Sequence, residues 1–221
     1  MRATFNEHER EPIPGIPGAL PDGEALLWQG RPGWRGIATR AMHLRAIAVY
    51  FAVLALWRGA ALTAEGAGFA EAALGAGLLV AIGAVPLALL AGIAWFYGRS
   101  TIYSITSRRL VIQTGIALPM TVGIPFAAIA SAALARHADG SGDIAVKLLP
   151  RHRVSWLALW PHVRPWRVAR AEPTLRALPE AEAVAQVLSR ALAASASMPV
   201  QAVPAAGGAH APSRPTAEAM A

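Results

Sequence analysis

Six histidines, at positions 8, 43, 137, 152, 162 and 210, and a complete lack of cysteine bound the chemistry this chain can do. No two histidines form a His-x-x-x-His pair, so the metalloprotease pattern is absent. Without cysteine there is no thiolate nucleophile, no disulfide framework and no Cys-based zinc site. Asp139 and Asp143 flank Gly140-Ser141-Gly142, which suits a hairpin tip; a calcium loop needs more carboxylates at alternate positions. There is no Gly-x-Ser-x-Gly nucleophile elbow, no phosphate-binding glycine loop and no carboxylate pair in an apolar setting. His43, beside Arg40 and Arg45, reads as an interfacial residue rather than as a ligand for a chlorin magnesium. The expectation is a protein that is not an enzyme and holds no metal or cofactor.

What remains is recognition chemistry. The stretch Trp156–Arg170, WLALWPHVRPWRVAR, sets Trp156, Trp160 and Trp166 among Arg164, Arg167 and Arg170, with Pro161 and Pro165 interrupting regular structure. Tryptophan and arginine dominate interface hot spots and also settle at the headgroup level of a bilayer. Trp156 and Trp160 read as core on an inward strand face, and Trp166 with its arginines as an exposed contact. The candidate residues for partner or lipid contact are Trp160, Arg164, Trp166, Arg167 and Arg170, with Arg108 and Arg109 from the first β-hairpin. Net charge is +7, and of the 20 basic residues only Lys147 is a lysine. Arginine grips phosphate and carboxylate bidentately, so anionic lipid, protein and nucleic acid are all chemically suited. Long apolar segments direct that charge to lipid and protein rather than to nucleic acid. Most of the basic excess falls after residue 98. A domain so charged gains about 1 kcal/mol per basic residue near an anionic leaflet.

These side chains need elements to position them. Ala72–Tyr97 has no charged residue over 26 positions. As a helix it would be roughly 39 Å long, enough to span a hydrocarbon core of about 30 Å with some tilt. It ends in Trp95-Phe96-Tyr97 and Arg99, an aromatic belt followed by a cation, and Pro86 should kink it midway. Ala46–Trp57, between Arg45 and Arg58, reaches span length when extended to Glu65; alone it could equally lie on the surface. Charge placement decides between the two. Arg31, Arg35, Arg40 and Arg45 precede the first segment, Arg99, Arg108 and Arg109 follow the second, and the loop Gly59–Glu71 has neither lysine nor arginine. Two spans put both basic clusters on one side of the membrane, which the positive-inside rule makes the cytoplasmic one, with both termini cytoplasmic. Met1–Pro12 lacks the pattern of a cleavable signal peptide.

Around that hairpin, residues 1–40 read as an extended arm rich in proline and glycine, with Glu24–Trp28 as a strand or an interfacial anchor. From Thr101 the pattern becomes β. Thr101–Thr106 and Leu110–Thr114 form a hairpin, Thr121–Phe126, Ile129–Leu134 and Ile144–Leu149 are further strands, and Val154–Trp160 follows as another. Pro179-Glu-Ala-Glu182 opens a helix whose Val184, Val187, Leu188, Ala191 and Leu192 make one apolar face. After Ala194 the Ala/Pro/Gly-rich composition reads as a disordered tail, 195–221. The fold class is a membrane-anchored α+β protein. A two-span helical hairpin, 41–98, precedes a small antiparallel β-barrel or sandwich with a capping C-terminal helix, 99–194.

Thr101–Pro119, TIYSITSRRLVIQTGIALP, resembles the first hairpin of bacterial pleckstrin-homology-like (PH-like) domains that follow membrane spans, and Leu20–Pro32 resembles their lead-in. Glu11-Pro-Ile-Pro-Gly15, Gly115–Pro119, His137–Ile144 and, most specifically, Leu159-Trp-Pro-His-Val-Arg-Pro-Trp-Arg167 are similar to the photosynthetic-complex assembly family PuhB of purple phototrophic bacteria. The likeness covers residues 9–194. It implies a non-enzymatic inner-membrane factor that helps assemble the reaction centre and its core antenna, through reaction-centre subunits with the H subunit first among them. Family accounts imply three spans where the residues here give two. The rival expectation is a generic membrane-anchored PH-like protein binding anionic lipid or another membrane protein. Self-association into a homodimer stays open.

Overall fold

In the computed structural model the described residues are 13–197, apart from 166 and 168. Two antiparallel helices, α2 (Leu44–Ala64) and α3 (Phe69–Ser100), stand outside a β-rich body. At 1.5 Å per residue they are roughly 32 and 48 Å long, and both are long and apolar enough to cross a membrane. Their large apolar side chains, Leu56, Leu74 and Val85 among them, face outward rather than into a core. Such a belt is costly in water and at home in lipid. Small residues let the two backbones approach: Gly83 lies under Phe51, Gly75 under Leu62 and Gly59 beside Ala76. Pro86 lies inside α3.

The body has two antiparallel sheets. One runs β1 (Leu26–Gly30), β2 (Ile102–Thr106), β3 (Arg109–Thr114), β4 (Met120–Pro125); the other runs β5 (Ile129–Arg136), β6 (Gly142–Leu148), β7 (Thr174–Leu178). Helix α5 (Ala181–Ser197) packs its Val184, Leu188 and Ala191 onto a core holding Tyr103, Ile105, Leu110, Ile112, Ile144, Val146, Leu175 and Leu178. This is an open pair of sheets with a helix across them. The first hairpin is in the expected register, Ile105 opposite Leu110 and Tyr103 opposite Ile112. β3 then returns to the end of α3, where Thr101 and Thr114 share a hydroxyl contact of 3.1 Å. Gly115 (φ 128°) turns the chain there; a Cβ would run into the Leu118 carbonyl.

Several expectations give way. Val154–Trp160 holds no strand: Ser155 accepts from the Ala158 N–H and caps a short helix, α4 (Trp156–Leu159), which Pro161 keeps from continuing. β7 went unread because TLRAL alternates weakly and lies between Pro173 and Pro179. Of the two readings of Glu24–Trp28 the strand holds, for β1 pairs with β2 from Leu26 to Gly30, and it is the extended arm that gives way there. Downstream in the arm, α1 (Trp34–Gly36) and a wider helical turn over Ile37–Ala41 pack against α3. Gly98 makes this possible, since a Cβ there would meet Trp34 at 2.7 Å. α5 continues to Ser197, three residues into the expected tail. The first twelve residues and the tail beyond 197 lie outside the described residues.

Candidate functional site

The junction between α3 and the sheets is built from polar side chains that sequence reasoning passed over. α3 passes directly into β2 through Thr101, whose N–H still donates to the Tyr97 carbonyl at 3.0 Å. The Trp160-Pro161-His162-Val163 segment folds under this junction, with a cis peptide bond between Trp160 and Pro161. Trp160 meets the Tyr97 ring edge-on at 5.9 Å between centroids, and His162 lies edge-on to both Tyr97 and Tyr103. His162 is fully buried. Its Nδ1 is 2.6 Å from the Tyr103 hydroxyl and its Nε2 is 3.0 Å from the Thr101 hydroxyl.

Proton placement follows from the rest of the network. The Tyr103 oxygen accepts from the Arg176 backbone N–H at 3.1 Å, so its own proton goes to Nδ1. Nε2–H then donates to Thr101, whose hydroxyl proton goes on to Thr114. A neutral imidazole satisfies every member. Burial, reinforced by the Arg176 charge, pushes the His162 pKa down to about 3. Burial likewise raises the Tyr103 pKa, so the phenol stays protonated. Arg176 donates from Nη2 to the Val163 carbonyl at 2.7 Å, tying β7 to the same segment; burial lowers its pKa, with Asp143 acting in the opposite sense.

The arginines singled out in the sequence divide into two kinds. Arg164 and Arg167 take opposite oxygens of the mostly buried Glu172 carboxylate, at 3.1 and 3.0 Å. They tie positions 164 and 167 to Glu172 as well as facing outward. Arg109 reaches Glu24 at 2.9 Å, locking β3 to the lead-in of β1, so that cation too has an internal partner. Arg108 and Arg170 are exposed. Trp160 is 39% exposed and not core, whereas Trp156 is half-buried against the core cluster. Trp166 lies outside the described residues. Glu172, His162 and Tyr103 were missed. The available signal was a histidine between a tryptophan–proline pair and a valine, close to an acidic residue amid arginines.

The body is therefore seated on the apolar hairpin from both sides. Arg40, just before α2, pairs with Asp139 at 3.0 Å and donates to Ser141 at 2.7 Å, so the β5–β6 tip holds the chain entering that helix. The Gly33 N–H donates to the Ala177 carbonyl at 2.8 Å. Leu157 is 79% exposed next to Trp160, and the β3–β4 turn projects Ile116 and Leu118 on the side from which α3 arrives. Apolar side chains thus crowd the edge of the body nearest the two helices.

Residues 41–192 match the family model described as Bacterial PH domain. The chain belongs to that family. In this bacterial PH domain the match takes in both apolar helices, strands β2 to β7 and most of α5, and leaves β1 outside it. The chain is also 38% identical, over 206 residues, to an "Uncharacterized 23.7 kDa protein in puhA 5'region" of Rhodobacter capsulatus, covering 92% of this chain and 96% of that protein. The resemblance read from Leu159–Arg167 and its companion motifs therefore holds along nearly the whole chain. No solved structure matches the bacterial PH domain described here. Among its described residues, no group of three His, Asp or Glu side chains is placed to hold a metal ion.

Proposed function

We propose that this protein is a non-enzymatic assembly factor for the photosynthetic reaction centre and its core antenna, binding nascent subunits at the bacterial inner membrane. The observation that carries the reading is the near full-length similarity to a protein of the puhA 5' region, which supports a photosynthesis-related role. The fold suits such a role, because a PH-like body clamped to two apolar helices holds its exposed Trp160 and Leu157 at a fixed height beside the bilayer. Reaction-centre subunits, the H subunit first, and core antenna proteins are the partners proposed for that edge.

Capture from solubilised membranes tests this. Tagged full-length protein should co-purify reaction-centre or antenna subunits. Leu157→Ala with Trp160→Ala should weaken capture by about 2 kcal/mol, roughly 30-fold, because an exposed aromatic anchor and its apolar neighbour are the hot-spot type. Wild-type protein that brings down lipid but no such subunit would defeat the assembly reading. Loss of liposome affinity in the double variant, with subunit capture intact, would favour the generic lipid-binding alternative.

The orientation proposed with this function places both termini in the cytoplasm. Reporters fused after Arg45, within Thr63–Phe69 and after Arg99 should read cytoplasmic, periplasmic, cytoplasmic. The middle loop lacks basic residues and both flanks carry several arginines. A cytoplasmic signal from the middle fusion would rule the hairpin out.

A further inference from the structure

Behind the Glu172 clamp lies a second feature, away from Trp160 and Leu157. The end of β6, the loop that follows it, Arg167 and residues 169–172 enclose a cavity of about 380 Å³. Its lining carries Lys147, His152, Arg153, Arg167 and Arg170, over an apolar floor that includes Leu149 and Val154. One acidic side chain, Glu172, also lines it, and both of its oxygens are held by Arg164 and Arg167. Lys147, Arg153 and Arg170 have no ion-pair partner among the described residues, and all three are solvent-accessible. Three spare cations around one concavity repel one another, an arrangement relieved by a multivalent anion. Glu172, already neutralised, orients Arg167 without cancelling the others.

We propose that this cavity is a binding site for a phosphate ester of a small polar alcohol. A phosphate group offers several acceptor oxygens in different directions, which suits guanidinium and ammonium groups converging from separate segments. A single carboxylate has only two oxygens and could engage fewer of them. The volume lies in the range of small-molecule sites and exceeds what inorganic phosphate fills, which leaves room over Leu149 and Val154 for the alcohol portion. The phosphate can come from a soluble ester or from a lipid headgroup, and the chemistry of recognition is the same.

The test uses the full chain. Thermal unfolding in a neutral detergent is followed against sn-glycerol-3-phosphate and inorganic phosphate, with sodium acetate at matched ionic strength as control. A parallel arm places the protein in phosphatidylcholine nanodiscs with and without phosphatidic acid. A ligand that binds only the folded protein raises its stability in a saturable way. Saturable stabilisation by glycerol phosphate above the acetate control assigns the site to soluble esters; stabilisation by phosphatidic acid alone assigns it to headgroups. In either case Lys147→Gln with Arg153→Gln and Arg170→Gln should weaken binding by about tenfold or more, and Arg170→Gln alone by about threefold. Arg190→Gln, on the far helix, should bind as wild type does. All these side chains are exposed, so the variants should fold, which circular dichroism verifies. Equal response to acetate, no saturable response in either arm, or unchanged affinity in the triple variant would each overturn the proposal. Partner capture is read on Leu157 and Trp160, outside this cavity, so the two ideas fail separately.

Discussion

Replacing Ile112 by alanine should lower the stability of the full-length protein by about 2–5 kcal/mol. Ile112 is completely buried, pairs with Tyr103 across the first hairpin and sits in the cluster that α5 closes. Three of its carbon atoms would be replaced by a void, and β3 is flanked by β2 and β4, so the backbone has little freedom to collapse inward. For a body of this size such a loss is a large share of the total. The measurement is thermal or denaturant unfolding in detergent, followed by near-ultraviolet circular dichroism. It needs the whole chain, because a fragment starting at residue 99 omits β1, whose Trp28 packs on the same core. An unchanged midpoint would remove Ile112 from the core.

What was legible in the sequence had strong, local physical causes. The uncharged run 72–97 and the arginine-flanked run before it are visible because lipid demands continuous apolar length. The first hairpin is visible because Ile102–Thr106 and Arg109–Thr114 are β-branched and separated by two polar residues. The apolar face of α5 is visible through its helical spacing. β7 and α4 were hidden because their stability comes from elsewhere. Thr174–Leu178 is a strand by virtue of β6 alongside it and of Arg176 and Ala177 bonding to Tyr103 and Asp143. Trp156–Leu159 is a helix through one capping serine in a stretch whose tryptophans mimic a strand. The contact surface was half legible. Tryptophan and arginine content pointed to the 156–170 stretch, but composition cannot reveal that Arg164 and Arg167 converge on Glu172. Nor can it bring Lys147 and Arg153 beside Arg170, since that proximity is created by β6 and its following loop.

The buried imidazole makes stability depend on pH in a defined window. His162 is free to take up a proton near pH 6.5 in the unfolded chain but only near pH 3 when folded. Between those values the unfolded state binds one more proton, so stability falls as pH falls, at roughly 1.4 kcal/mol per pH unit. The contribution is intact above pH 6.5. The charged groups facing the ring do not reverse this: Arg176 on β7 adds positive charge, and Tyr103 on β2 and Thr101 are neutral donors and acceptors. Between pH 6.5 and 5, where most ordinary carboxylates are still ionised, wild-type protein should lose about 2 kcal/mol more than His162→Gln. The glutamine amide accepts from Tyr103 and donates to Thr101 without titrating, so the variant keeps the network and loses only the proton uptake. Tyr103→Phe tests the same arrangement differently. It leaves the Arg176 N–H and the His162 Nδ1 without their shared hydroxyl, each at a cost of about 1–3 kcal/mol, and should unfold well below wild type at pH 7.5. Parallel pH profiles for wild type and His162→Gln would show that the imidazole is not held neutral, and the proton assignment along Arg176, Tyr103, His162, Thr101 and Thr114 would fall with it.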